Sequence, residues 1–275
     1  MHNLKPYQGD AFSLFKDAVD RKVDGDSKNR LIEAKATIKT YYDEFDSHFK
    51  NNTLQLIPPK RVIEPLKDDL CDMYSFDAAL VKKVKEWLLQ NNSPTVYGMC
   101  QQCGIVPFNT MDHILPRARY SEYSVHPRNL IPCCGECNER KNDREILNLY
   151  IDKLPEVEYL FMDVKANGDT IDFFFRLDNT NGLVPTSLFT KISNHYKNLD
   201  LFDRFRTYAT SKIIAFLTNI NRTFIKYGKL EVIDNVNEYI AELRRAYGFN
   251  YWEAAFQKGL INSPVFWDYY TSGKF

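Results

Sequence analysis

The chain has 275 residues, 44% of them hydrophobic, and its 36 basic and 36 acidic side chains cancel to a formal net charge of zero. That length and content allow a sizeable core in one to three domains, while the charge balance excludes a global attraction to nucleic acid and leaves such binding to local patches. The Met1 to Phe12 stretch lacks the charged-then-apolar layout of a signal peptide, and no apolar run approaches the roughly 18 residues that span a bilayer. A cytoplasmic protein with no membrane partner is expected, in which the six cysteines stay reduced and serve as metal ligands or buried thiols.

Taken in chain order, residues 10–50 read as two polar amphipathic helices broken near Val23-Asp24-Gly25-Asp26. The second carries Leu31, Ile32, Ala36, Tyr41, Phe45 and Phe49 at helix-like intervals. Pro58-Pro59 marks a linker. Ser75 is placed to cap a helix whose Leu80, Val84, Trp87 and Leu88 share one face and which Asn91 to Pro94 ends. From Cys100 to Asn142 the pattern turns short, irregular and rich in Cys, His, Asn, Pro and Arg, as in a small metal-organised unit. Asn138 to Tyr150 then predicts a helix, and Tyr159 to Ala166 and Thr170 to Leu177 flank an Asn167-Gly168 hairpin turn.

A stripe of Phe202, Phe205, Ala209, Ile213, Phe216, Ile220 and Phe224 predicts a long helix, and Leu230 to Tyr247 another. The expected fold class is α+β and mainly helical: an N-terminal helical region over 1–92, the metal-organised unit over 93–152, and a hairpin-plus-helices region over 153–275. No G-x4-G-K-[S/T] phosphate loop is present, which argues against ATP hydrolysis by this chain.

Four cysteines fall in two C-x2-C pairs, Cys100 with Cys103 and Cys134 with Cys137. Each pair can form a knuckle that presents two thiolates to one ion, and two knuckles complete the tetrahedral shell of structural zinc. Six cysteines placed at random would give about 0.1 pair of this spacing, so chance is a poor account of two. A redox pair is a weaker reading still, because that motif opens a helix after a strand, whereas Cys100-Gln101-Gln102-Cys103-Gly104 is turn-like. Cys71 and Cys133 fall outside the pairs; Cys133 lacks the two-residue spacing to Cys137 that Cys134 has.

Between the knuckles lie Thr110-Met111-Asp112-His113-Ile114-Leu115-Pro116 and Asn129-Leu130-Ile131-Pro132, and the second knuckle runs on as Cys137-Asn138-Glu139-Arg140-Lys141. In these five elements and their order the sequence resembles the HNH nucleases in their four-cysteine branch. The resemblance implies a ββα-metal site with a structural zinc and a catalytic divalent ion. The phrases Asp-His-Ile-Leu-Pro and Asn-Leu-Ile-Pro-Cys-Cys are similar to those of HNH proteins of bacterial anti-phage defence islands, often encoded beside an ABC-type ATPase, which such a chain would have as its partner.

Phosphodiester hydrolysis needs an activated water, neutralised phosphoryl oxygens and relief of charge on the departing 3′ oxygen. His113 is the expected general base, and its reference pKa near 6.5 places the rise of cleavage between roughly pH 6 and pH 7.5. By resemblance the strand distorts so that Asp112 and Asn138 supply oxygens to magnesium or manganese, and Asn129 braces the loop and orients His113. Lys141, one turn after Asn138, is expected to contact the phosphate or position the leaving group. The last motif residue, Asn138, stands where many members have His, which bears on metal preference.

Arg117, Arg119, Arg140 and Arg144 are candidates for flanking phosphates. A second basic feature runs from Arg204 to Leu230, with six basic residues and no acidic one. There Arg204, Arg222, Lys226 and Lys229 are expected to project opposite the apolar stripe as a ridge that follows a phosphate backbone; an ordinary solvated face is the competing account. His126 reads as a loop residue, and His195 has no partner at a readable spacing. DNA is the favoured substrate, and oligomeric state is left open. The competing function is a zinc-bound nucleic-acid or protein interaction module without catalysis, and a third is a toxin-like nuclease delivered to other cells.

Overall fold

The computed structural model describes residues 1–94 and 98–274 and is mainly helical, with two small two-stranded sheets. Helix α1 (Ala11–Asp20) begins where Asp10 accepts a hydrogen bond from the Phe12 amide, and it buries Ala11, Leu14, Phe15 and Val19. The expected second helix is two, α2 (Asp26–Glu33) and α3 (Lys35–Lys50), meeting at Ala34. Their core face is Leu31, Ile38, Tyr42 and Phe45, so Ile32 turns outward at 44% exposure. The expected stripe had mixed two faces.

Helix α4 (Leu66–Cys71) precedes α5 (Ala79–Asn91), which starts later than Ser75. The Ser75 hydroxyl instead accepts from the Asp77 amide in a local turn, and Asn92 closes the far end by donating to the Leu88 carbonyl. Pro94, the last residue of the expected stop signal, immediately precedes the undescribed 95–97.

The central unit has strands β1 (Thr110–His113) and β2 (Leu130–Cys133), antiparallel with Asp112 opposite Ile131 and His113 opposite Leu130, followed by helix α6 (Gly135–Lys141). The helix expected over Asn138 to Tyr150 thus starts earlier and stops after two turns. Its stop is Asn142, whose φ of 47° lies outside the helical region. Beyond it Leu147, Leu149 and Tyr150 are buried from irregular backbone, with the Tyr150 hydroxyl donating to the Leu130 carbonyl.

Strands β3 (Leu160–Asn167) and β4 (Thr170–Leu177) pair from Leu160↔Leu177 to Asn167↔Thr170, so the loop is Gly168-Asp169, one residue later than expected. Gly168 holds a φ of 59°, a conformation that glycine adopts without a side-chain penalty. The hairpin's inner face, Leu160, Met162, Phe173 and Phe175, packs on helices that follow. These are α7 (Thr186–Asn198), α8 (Leu201–Tyr227), α9 (Lys229–Tyr247), α10 (Trp252–Asn262) and α11 (Pro264–Thr271).

In α10, a Cβ on Gly259 would lie 2.3 Å from the Met162 carbonyl oxygen, so only glycine lets this helix approach β3 so closely. The buried side chains of all these elements join in one hydrophobic cluster. Among the described residues no helix is long and apolar enough to cross a membrane.

Candidate active site and metal centre

Cys100, Cys103, Cys134 and Cys137 are each at most 3% exposed, and their sulfurs all lie within 4.8 Å of one another. Zinc–sulfur bonds of about 2.3 Å put the sulfurs of a tetrahedral shell about 3.8 Å apart, so this donor set fits zinc. The local folding explains the convergence. Gly104, at a φ of 68°, turns the first knuckle, and the Ile105 amide donates to Cys103 Sγ at 3.4 Å. In the second knuckle Cys134 is the N-cap of α6, its sulfur accepting from the Cys137 amide at 3.4 Å.

Cys133, also buried, turns its thiol to the Cys134 carbonyl. Cys71 lies apart, half-buried beside Ser124. Three contacts from the C-terminal helices seat on the knuckles: His195 Nε2 on the Gln102 carbonyl at 2.7 Å, Trp252 Nε1 on the Gly104 carbonyl at 3.0 Å, and Arg204 Nη1 on Cys137 Sγ at 3.2 Å.

On β1, the His113 amide donates to Asp112 Oδ1 at 2.7 Å, which bends the carboxylate back along the strand. Lys141 Nζ lies 3.3 Å from the same oxygen and donates to the His113 carbonyl at 2.7 Å. Lys141 is only 3% exposed, so its cation neutralises Asp112 inside the protein. Asp112 Oδ2 is buried with no hydrogen-bond partner. An orphaned carboxylate oxygen suits a hard divalent cation, so the residues present fit a catalytic ion. Asn138, half-buried, lies on the face of α6 that carries Lys141, and its side chain makes no hydrogen bond among the described residues.

The His113 ring is fixed on two sides. Its Nε2 lies 2.8 Å from the Ser124 carbonyl, and the Tyr74 ring packs edge-on at 4.5 Å. A carbonyl oxygen can only accept, so Nε2 carries the proton and Nδ1 keeps its lone pair. Tyr74 also holds β1 itself, donating to the Met111 carbonyl at 2.6 Å and accepting from the Met111 amide. Asn129 is fully buried: Oδ1 accepts from the Leu115 amide, and Nδ2 donates to the carbonyls of Leu115 and Tyr123. It thereby ties both ends of the loop that presents Ser124.

Burial governs the titration here. It pushes His113 down to about 4 and raises Asp112 to about 6, the latter against the pull of Lys141. The imidazole is therefore neutral well below pH 6, and the rise between pH 6 and 7.5 expected from an unperturbed histidine does not follow for this one.

The basic candidates separate. Arg119 and Arg144 are exposed and line, with Lys141, Lys191 and Asp112, a cavity of about 350 Å³. Arg117 is exposed, donates to the Cys71 carbonyl and lies over the Tyr74 ring. Arg140 is instead engaged by Glu136 and Asp200, each at 3.1 Å. On α8 and α9, Arg222, Lys226 and Lys229 are exposed.

Arg204 is not part of their ridge. It follows the buried Leu201 by three residues and precedes the buried Phe205, on the stripe side of the helix, and is 5% exposed. Arg204 was expected on the basic ridge and not at the cysteines, and Tyr74 and Ser124 were not named at all. Their partners are far away in sequence, and no local pattern marks them. His126, read as a loop residue, is fully buried between Tyr42 and Phe45, 3.3 Å from Asp46.

Comparison with known proteins points to the same stretch of the chain. The family profile described as HNH endonuclease matches residues 100–144, the stretch that holds both knuckles, β1, β2 and α6. Protein ea31 of Escherichia phage lambda is 25% identical over 195 residues, covering 61% of this chain and 62% of that protein. The chain thus spans less than two thirds of this relative's length. No solved structure matches the chain significantly.

Proposed function

We propose that the chain is a metal-dependent HNH endonuclease that hydrolyses phosphodiester bonds, with DNA as its substrate. The observation that carries this reading is the pairing of a fixed, neutral His113 with the orphaned Oδ2 of Asp112 on the adjacent residue. His113 Nδ1 takes the proton of the attacking water, while the Ser124 carbonyl and Tyr74 hold the ring so that no reorganisation is needed. Asp112 and Asn138 would hold magnesium or manganese, which when bound neutralises charge on the phosphoryl and departing oxygens. Lys141 keeps Asp112 ionised despite its burial, and Arg119 and Arg144 offer the flanking phosphates their cations. The four cysteines hold zinc as a structural clamp.

The test is cleavage of plasmid DNA and of RNA by wild type, His113→Ala and Asn138→Ala across magnesium and manganese concentrations, with zinc content measured in parallel. His113→Ala should retain fold and zinc and lose about 10²–10⁴-fold in rate. Asn138→Ala should regain part of its loss at high metal. Wild-type cleavage by His113→Ala would sink the assignment of the base, and nuclease-free wild type would favour the interaction module. We further propose a role in anti-phage defence beside an ABC-type ATPase, supported by the phrases Asp112 to Pro116 and Asn129 to Cys134. Co-purification with the product of a neighbouring ATPase gene, or its failure, decides that point.

A further inference from the structure

Four thiolates around one divalent ion carry a net charge of minus two, and here all four sulfurs are buried. Buried charge without compensation is costly. The HNH unit supplies the sulfurs with neutral amide donors, those of Ile105 and Cys137. A cation arrives from outside that unit, on the first turn of α8.

Arg204 Nη1 lies 3.2 Å from Cys137 Sγ and 3.2 Å from the Leu199 carbonyl, and Nη2 lies 3.9 Å from Cys134 Sγ and 3.0 Å from Glu136 Oε2. The planar fork of a guanidinium reaches two sulfurs, a carbonyl and a carboxylate at once, which the single point of an ammonium cannot do. Glu136 in turn pairs with Arg140, and Arg140 with Asp200 at the start of α8. The second knuckle and the beginning of α8 are thus joined by a closed set of charges centred on the cysteines.

We infer that Arg204 is the outer-sphere cation of the zinc centre: a positioning residue that neutralises the Cys134 and Cys137 thiolates and makes the seating of α8 depend on the metal. The inference rests on the reading that the four cysteines hold zinc. Partners of this kind are typically worth 10–100-fold in metal affinity. Placing a cation beside a thiolate also lowers the energy of its lone pairs. Removal of that cation should shift the sulfur-to-cobalt charge-transfer band of the cobalt-substituted protein to longer wavelength and speed zinc ejection by a thiol-reactive electrophile.

The experiment compares the full chain as wild type, Arg204→Met, Arg204→Lys and Arg222→Met, the last removing a charge from the same helix where it is exposed. Zinc affinity is read by competition with a chromophoric chelator, the cobalt spectrum by absorption, and the seating of α8 by amide exchange over residues 201–210 before and after chelation. Arg204→Met should bind zinc about 10–100-fold more weakly with a red-shifted band. Arg204→Lys should fall between it and wild type, and Arg222→Met should match wild type. Chelation of wild type should raise exchange over 201–210. If Arg204→Met does not fold, the chelation experiment on wild type decides. Exchange over 201–210 unmoved by chelation overturns the inference, as does a folded Arg204→Met that is indifferent. A wild type that takes up no zinc overturns the four-thiol reading and this inference with it; zinc-loaded wild type with indifferent variants overturns the inference alone.

Discussion

His195 is fully buried, with Nε2 on the Gln102 carbonyl and Nδ1 unpartnered, and burial holds its pKa down at about 4. In the unfolded chain the same ring titrates near 6.5. Above that pH neither state binds the proton, and the fold keeps its full stability. As pH falls through 6.5 the unfolded chain gains a proton that the fold refuses until about 4, so stability is lost across that window. From pH 7 to pH 5 the loss from this one group is about 2 kcal/mol. Urea midpoints at the two pH values should converge in His195→Gln relative to wild type; an equal gap in both proteins would show that His195 is not a source of the acid sensitivity. At this scale the sequence was most legible at the two C-x2-C knuckles, which announce themselves by spacing and whose four sulfurs converge, while Asp112-His113 and Asn129 were singled out by the resemblance of their motifs. Tyr74, Ser124 and Arg204 carried neither signal, because each earns its place only through a residue at least eleven positions away.

Helix α6 is bounded by two unusual residues. At its start the sulfur of Cys134 accepts from the Cys137 amide, doing the work of the serine or aspartate by which a helix start is normally read. That substitution hid the true start at Gly135. At its end Asn142 holds φ 47° and ψ −107°, a region that only glycine occupies without strain. Asn142→Gly should therefore stabilise the protein by about 1 kcal/mol and raise its melting temperature; thermal denaturation showing a loss would mean that the Asn142 side chain has a role that its backbone conceals. The long helices and the hairpin were legible because their apolar periods of 3.6 and 2 persist over many residues. The path from Asn142 to Tyr150 was not, since its buried Leu147, Leu149 and Tyr150 mimic neither period for long enough.

Across the whole molecule the formal charge cancels, yet Arg222, Lys226 and Lys229 stand exposed around the junction of α8 and α9. If this patch follows a phosphate backbone, replacing all three with Gln should weaken DNA binding and reduce the slope of log affinity against log salt by about 3, at about 0.9 per phosphate. An unchanged slope would return the patch to plain solvated surface. The same α8 that ends in this patch begins at Arg204 on the cysteines, so one rigid rod connects the two.

That arrangement also sets an order in time. A ribosome delivers the knuckles and the Asp112-His113 pair long before it delivers His195, Arg204 and Trp252, the three side chains that seat on the knuckles from the C-terminal side. A nascent chain therefore carries both knuckles and the Asp112-His113 pair while the contacts that seat on the knuckles are still missing. A chain stopped at residue 190 should lose zinc to a chelator faster than the full protein; an equal rate would show that the clamp is complete on its own. The order of synthesis thus leaves the outside support of the knuckles until last.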